Sequence, residues 1–262
     1  MPGANTEGFT APDKLVEAVF GDIVMDMEQG KTEIAAVEAS AYHYEILDVT
    51  TPGGGRTEYY ILREMLPISR GWGTYIFQKD FVNDIVIEIP HPISDRNTPL
   101  VGLGLFKALN AKALLIAGTH RNANKDGMAD TAHATDSIFQ AVHLALVQEA
   151  SQTYAEVIFL QLHGFSSDRH PHFPQVIIGH NWQSDPIKDR LLNKLVQAMQ
   201  DENIQVGVCP NKDFQDLCGT LNIQSLETKD QAFFHLELNE STRQDDSAFV
   251  SALVKALNSS SP

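Results

Sequence analysis

The sequence predicts an α/β protein: three layers, α/β/α, with a mostly parallel mixed sheet and an N-terminal antiparallel β-meander at its edge. Three observations carry this. From about residue 84 onward, short β-branched apolar runs alternate with stretches of helical spacing, the pattern of a sheet covered by helices on both faces. Before that point, runs of alternating polarity are broken by a Gly-rich turn, the pattern of hairpins. No repeat, low-complexity tract or linker divides the chain, so residues 1–262 are expected to form one domain, with 1–83 as lead-in and meander and 84–262 as core.

In order, DKLVEAVFGDIV is a short amphipathic lead-in helix, and the rest of residues 1–40 reads as loose connections. Tyr42 to Val49 alternates, TPGGGR turns, and TEYYILRE and GTYIFQ follow as strands. The triple Gly reads as a turn because no helix follows it to cradle a phosphate. DIVIEIP is a buried strand, TPLVGLGLFKALN a helix and AKALLIAG a second buried strand. Asp130 or Thr131 is expected to cap a helix running through AHATDSIFQAVHLALVQEA, with Ile138, Phe139, Val142 and Leu146 on one face. AEVIFLQL and QVIIG are strands, and DPIKDRLLNKLVQAMQ is a helix with Pro in its first turn. IQVGV and QAFFHLEL are strands, and SAFVSALVKALN closes the chain as a helix.

Composition narrows the function classes. Acids outnumber bases 34 to 19, a net charge of −15, which argues against a phosphate-backbone binder and against docking on anionic membranes. No apolar run approaches the roughly 20 residues a bilayer span needs. MPGANTEGFTAPDK lacks a basic region followed by an apolar one, which at face value points to the cytoplasm; a periplasmic or secreted protein whose leader had been removed would look the same. Cys209 and Cys218 could form one small-loop disulfide or stay reduced.

The informative feature is where polar residues fall. In open α/β sheets ligands bind beyond the carboxyl ends of the strands. DIVIEIP ends in His91 with Asp95 four residues on, AKALLIAG in Thr119, His120, Arg121 and Asn122, AEVIFLQL in His163, and QVIIG in His180; QAFFHLEL carries Glu237 near its end. Eight of the ten histidines lie between His91 and His180, so these ends could converge in space. Histidines with a carboxylate are the ligand set of a catalytic Zn²⁺, which acidifies water and polarises carbonyls. Such a site also needs a separate carboxylate as general base and a cation for the developing oxyanion.

The order PHPISD, THRNAN, LQLHGF and FHLELN resembles the zinc carboxypeptidase-like superfamily: metallocarboxypeptidases, aspartoacylase-like deacylases and N-formylglutamate amidohydrolases. The resemblance covers roughly residues 84–255. It implies one zinc ion held by His91, Asp95 and His163, with Glu237 as general base returning its proton to the leaving amine. It also implies that Arg121 polarises the scissile carbonyl or holds a substrate carboxylate, with Asn122 assisting. His120 and His133 are further candidate substrate contacts. HxxxD stands where the family has HxxE, which leaves Glu88 as an alternative carboxylate ligand. The basic pair reads Arg-Asn instead of Asn-Arg, and no Tyr lies between His163 and Glu237. The missing Tyr favours an amidase or deacylase over a true carboxypeptidase. The expected activity is hydrolysis of a C–N amide bond by metal-activated water, on a small amide, an N-acyl amino acid or a peptide end.

Other readings remain open. The chain could be a catalytically silent module of the same fold that binds a ligand. A metal could instead sit on His120, Asp130 and His133. Asp130 and His133, three apart, could equally be a helix-capping Asp and a surface His, or could support the site. His170 and His172 are expected in an exposed loop over the site mouth, and His143 is expected to face outward or pack inertly on its helix. LHGF is reminiscent of a serine-hydrolase oxyanion loop, but the chain has no G-x-S-x-G elbow.

Overall fold

A computed structural model describes residues 1–50 and 57–258. The expected TPGGGR turn lies outside the described residues. The elements run α1 (Lys14–Glu28), α2 (Thr32–Ala41), β1 (Tyr44–Thr50), β2 (Thr57–Glu64), β3 (Thr74–Gln78), β4 (Asn83–Ile89), α3 (Thr98–Ala108), β5 (Ala111–Ile116), α4 (Ile138–Thr153), β6 (Ile158–Gly164), β7 (Val176–His180), α5 (Pro186–Asp201), β8 (Val206–Val208), α6 (Ile223–Glu227), β9 (Ala232–Leu238), α7 (Glu240–Gln244) and α8 (Ser247–Asn258).

Among the described residues, nine strands form one sheet in the order β1-β2-β3-β5-β4-β6-β9-β7-β8. The centre, β5-β4-β6-β9, is parallel. The meander β1-β2-β3 is antiparallel and joins the centre through β3 and β5, as the alternating pattern predicts. Helices α1, α2 and α4 cover one face around Phe20, Phe139, Phe159 and Phe233. Helices α3, α5 and α8 cover the other around Ile87, Phe106, Leu236 and Phe249.

Three expectations are corrected. First, α4 begins at Ile138 instead of near 131, capped by Ser137, whose side chain accepts from the Gln140 amide. Asp130 and Thr131 cannot cap it because their side chains are turned inward, to His91 and to the Pro90 carbonyl. Residues 117–137 are therefore loop. Second, β7 pairs antiparallel with β9, so β7 and β8 run against the parallel centre. His180, paired opposite Phe234, thus sits near the amino end of β9, away from Glu237, and stacks on Trp182. Third, His143 is fully buried, its Nδ1 2.7 Å from a carboxylate oxygen of Glu88. Helix α2 falls where the sequence pattern predicts only loose connections, because its buried face is only Ala35 and Ala39.

Cys209 and Cys218 are disulfide-bonded, and the cystine packs with Phe165, Ile177 and Phe214. No helix among the described residues is long and apolar enough to cross a membrane.

Candidate metal centre

Side chains alternate along a strand, so β4, β6 and β9 each offer every second residue to the α4 face. Val86, Phe159 and Phe233 begin that face as core. Toward the carboxyl ends it becomes polar: Glu88, then Gln161 and His163, then His235 and Glu237, in register across the three strands. Every one of these side chains is buried.

His91 follows β4 after one residue, Pro90. The chain then makes one turn in which the Asp95 amide donates to the His91 carbonyl at 3.0 Å, bringing Asp95 back beside His91. The turn sets the carboxylate of HxxxD against the His91 ring. The Asp95 Oδ2 is 3.3 Å from His91 Nδ1 and 3.5 Å from His163 Nδ1, and the two Nδ1 atoms are 3.2 Å apart. Three donor atoms around a tetrahedral zinc at its usual bond lengths stand about 3.4 Å apart. The triangle has that size.

The far nitrogens of the two rings are both committed. His91 Nε2 donates to Asp130 Oδ1 at 2.7 Å. His163 Nε2 donates to Gln161 Oε1 at 2.7 Å. In the neutral rings both Nδ1 atoms are therefore bare lone pairs, facing each other and a carboxylate. Such a cluster calls for positive charge. Burial resists protonation of His91, yet hydrogen bonds to Asp130 and Asp95 outweigh it and raise its pKa. Burial also works against ionised Asp95 and Asp130. The adjoining rings of His163 and His91 at Asp95, and of His133 and His91 at Asp130, hold both well below the usual carboxylate range. Burial and the nearby His235 push His163 down to about 4, which keeps it neutral.

Glu88 is not brought to this cluster. It is bonded to His143 and Gln161 deeper under α4. Glu237 lies opposite His163 in the β6–β9 register. Its Oε1 accepts from His235 Nε2 at 3.3 Å, and its buried Oε2 has no hydrogen-bond partner among the described residues. Ligand atoms of His163, His235 and Glu237 fall within 4.8 Å of one another, a second group that could hold a cation. His235, whose ring centroid is 4.3 Å from that of His163, is a residue of this cluster that the sequence analysis passed over. The available signal was its period-two spacing from Glu237 in an apolar strand.

The rim holds the remaining candidates. Arg121 Nη2 is 2.5 Å from Asp130 Oδ2, and His133 Nδ1 is 3.2 Å from the same oxygen, so Asp130 ties both to His91. His133 is exposed and sits in a loop turn instead of a helix. His120 and Asn122 are not brought to the cluster: His120 Nδ1 accepts from the Asn122 amide, and Asn122 is exposed. Their segment is instead strapped by the chain's start. His120 donates to the Pro2 carbonyl, Asn5 to Asn122, and the Asn124 side chain bonds both backbone groups of Phe9. His120, Asp130 and His133 do not form an ion-sized group among the described residues.

No family model and no curated protein matches the chain. Among solved structures, similar ones are found at low identity and low overlap. An N-formylglutamate amidohydrolase from Ralstonia eutropha JMP134 is 11% identical with a TM-score of 0.48, covering 72% of this chain and 99% of that one. A bacteriophage poly-gamma-glutamate hydrolase is 12% identical with a TM-score of 0.47, covering 71% and 88%. A metallo-carboxypeptidase from Burkholderia cenocepacia is 12% identical with a TM-score of 0.43, covering 87% and 68%. Likenesses this low do not assign a reaction to this chain; its own side chains have to.

Proposed function

We propose that this chain is a metal-dependent hydrolase of C–N amide bonds, with a single zinc ion held by His91 Nδ1, Asp95 Oδ2 and His163 Nδ1. The observation that carries the reading is the triangle of three acceptor atoms, 3.2 to 3.5 Å on a side, whose imidazoles are each locked from behind. Two neutral imidazoles and one carboxylate suit zinc and would leave the ion net positive. Bound there, the ion would supply a Lewis acid for a carbonyl oxygen and acidify a water molecule.

The chain's own groups do the rest. Glu237 Oε2, buried and unbonded among the described residues, takes a proton from the attacking water as its oxygen adds to the amide carbon. The same carboxyl returns that proton to the amine nitrogen as the C–N bond breaks. His235 Nε2–H holds Oε1, which leaves Oε2 as the acceptor still open. The half-exposed guanidinium of Arg121 can donate to the carbonyl oxygen or to a substrate carboxylate while Asp130 orients it. Substrates would be small amides, N-acyl amino acids or peptide ends. The disulfide suits an oxidising compartment.

A silent binding module has no use for a buried carboxylate oxygen left without a partner, which favours the enzyme. The test is turnover of N-acyl amino acids and short peptides by wild type and Glu237→Gln at equal zinc content. General-base loss predicts a fall of about 10²–10⁴-fold. Unchanged turnover contradicts the role, and no turnover by the zinc-loaded wild type across these substrates supports the silent module.

A further inference from the structure

The two imidazoles of the triangle are supported differently. Behind His91 stands a carboxylate, Asp130. Behind His163 stands a neutral amide, Gln161, fully buried two residues earlier on the same face of β6. An amide can present either oxygen or nitrogen, and only the oxygen lets His163 keep its hydrogen on Nε2 and leave Nδ1 bare.

Three neighbours decide the matter. Gln161 Nε2 donates to Glu88 Oε2 at 2.9 Å, and a carboxylate paired with His143 can only accept there. Gln161 Nε2 also donates to Gln224 Oε1 at 3.1 Å. Gln224 is itself held in that orientation because its own Nε2 donates to the Thr131 carbonyl at 2.9 Å and to Gln140 Oε1 at 2.7 Å. On the other side, Gln161 Oε1 accepts from Asn222 Nδ2. Asn222 cannot reverse, since its Oδ1 caps α6 by accepting from the Ser225 amide at 3.0 Å. All four hydrogen-bonding positions of Gln161 are thus filled, and a flipped amide would set nitrogen against nitrogen and oxygen against oxygen, each unmet group costing roughly 1–3 kcal/mol.

We propose that Gln161 is the positioning residue that commits His163 to present Nδ1 to the metal, its amide locked in one orientation by Glu88, Gln224 and Asn222. This rests on the metal-centre reading above. Choosing a neutral amide over a second carboxylate has a consequence. It fixes the tautomer without adding negative charge, so the centre keeps more of the ion's positive field for substrate. The buried polar row under α4, which does not touch the substrate side, thereby acquires a function: it is the scaffold of a tautomer.

The experiment measures zinc affinity by chelator competition in wild type, Gln161→Leu, Gln161→Met and Leu160→Ala. Leu160 is an equally buried neighbour of Gln161 whose side chain lies on the opposite, apolar face of β6. Loss of a partner behind a metal-bound imidazole weakens affinity about 10–100-fold, the effect expected for either Gln161 variant. Leu160→Ala is expected to lower the melting temperature of the metal-free protein while leaving zinc affinity within about threefold of wild type, a difference well below that range. Gln161 variants that bind zinc as wild type does overturn the proposal, as does an equal loss in Leu160→Ala. Should the Gln161 variants not fold, ¹⁵N shifts of the His163 ring in zinc-loaded wild type decide: a protonated Nε2 and a metal-bound Nδ1 support it, and the reverse overturns it. A wild-type protein that binds no zinc in the same titration defeats the metal-centre reading instead.

Discussion

The central strands β4, β6 and β9 present two unlike faces. Toward α3, α5 and α8 they show Ile85, Ile87, Ile89, Leu160, Leu162, Phe234, Leu236 and Leu238, apolar from end to end. Toward α4 they begin apolar and finish with Glu88, Gln161, His163, His235 and Glu237. Both faces are buried, so burial alone does not separate core from site. The apolar face is held by area removed from water, which is non-directional. On the polar face each group must find its partner or be costly to bury, which is directional. The groups left incomplete there, the Nδ1 atoms of His91 and His163 and the Oε2 of Glu237, are where chemistry is expected.

Adjacent residues on β6 give the sharpest way to break this comparison. His163→Ala removes a proposed ligand and is expected to abolish stoichiometric zinc binding, the largest effect of the set, measured by elemental analysis after gel filtration. Leu162→Ala, one residue away on the other face, is expected to lower unfolding free energy by about 2–5 kcal/mol in denaturant titration. Zinc stoichiometry should stay intact in that variant. If Leu162→Ala loses zinc at concentrations of denaturant where it is folded, the two faces are not independent. Smaller still, Asp130→Asn keeps shape but weakens the hold on His91 Nε2, and zinc affinity should fall about 10–100-fold. The same change releases Arg121 and His133 from their shared oxygen, so KM for anionic substrates is expected to shift along with it.

The sequence made the apolar face easy to read, because alternation and β-branched runs report area. It also placed His91, Asp95, His163 and Glu237 at strand ends, and the parallel centre brings those ends to one edge. What it hid was direction and partnership. β7 looked like another parallel strand, although residues 165–175 between β6 and β7 hold no helical pattern, and a parallel crossover needs a dozen or more residues, usually helical. That shortfall was the signal that His180 belongs to the opposite edge. His143 stands four residues after Phe139 and three before Leu146, on the buried stripe of α4, so its burial was legible in the helical period. Its partner Glu88 was the one charge inside an apolar run. Asp130 looked like a cap because helix starts and metal supports use the same carboxylate, and only tertiary structure decides between them.

The most direct measurement is zinc content per chain in wild type, His91→Ala and His133→Ala, each purified after equilibration with zinc and desalting. One zinc per chain in wild type and His133→Ala, with none in His91→Ala, is the predicted result. Zinc retained by His91→Ala but lost from His133→Ala would place the ion elsewhere and contradict the account.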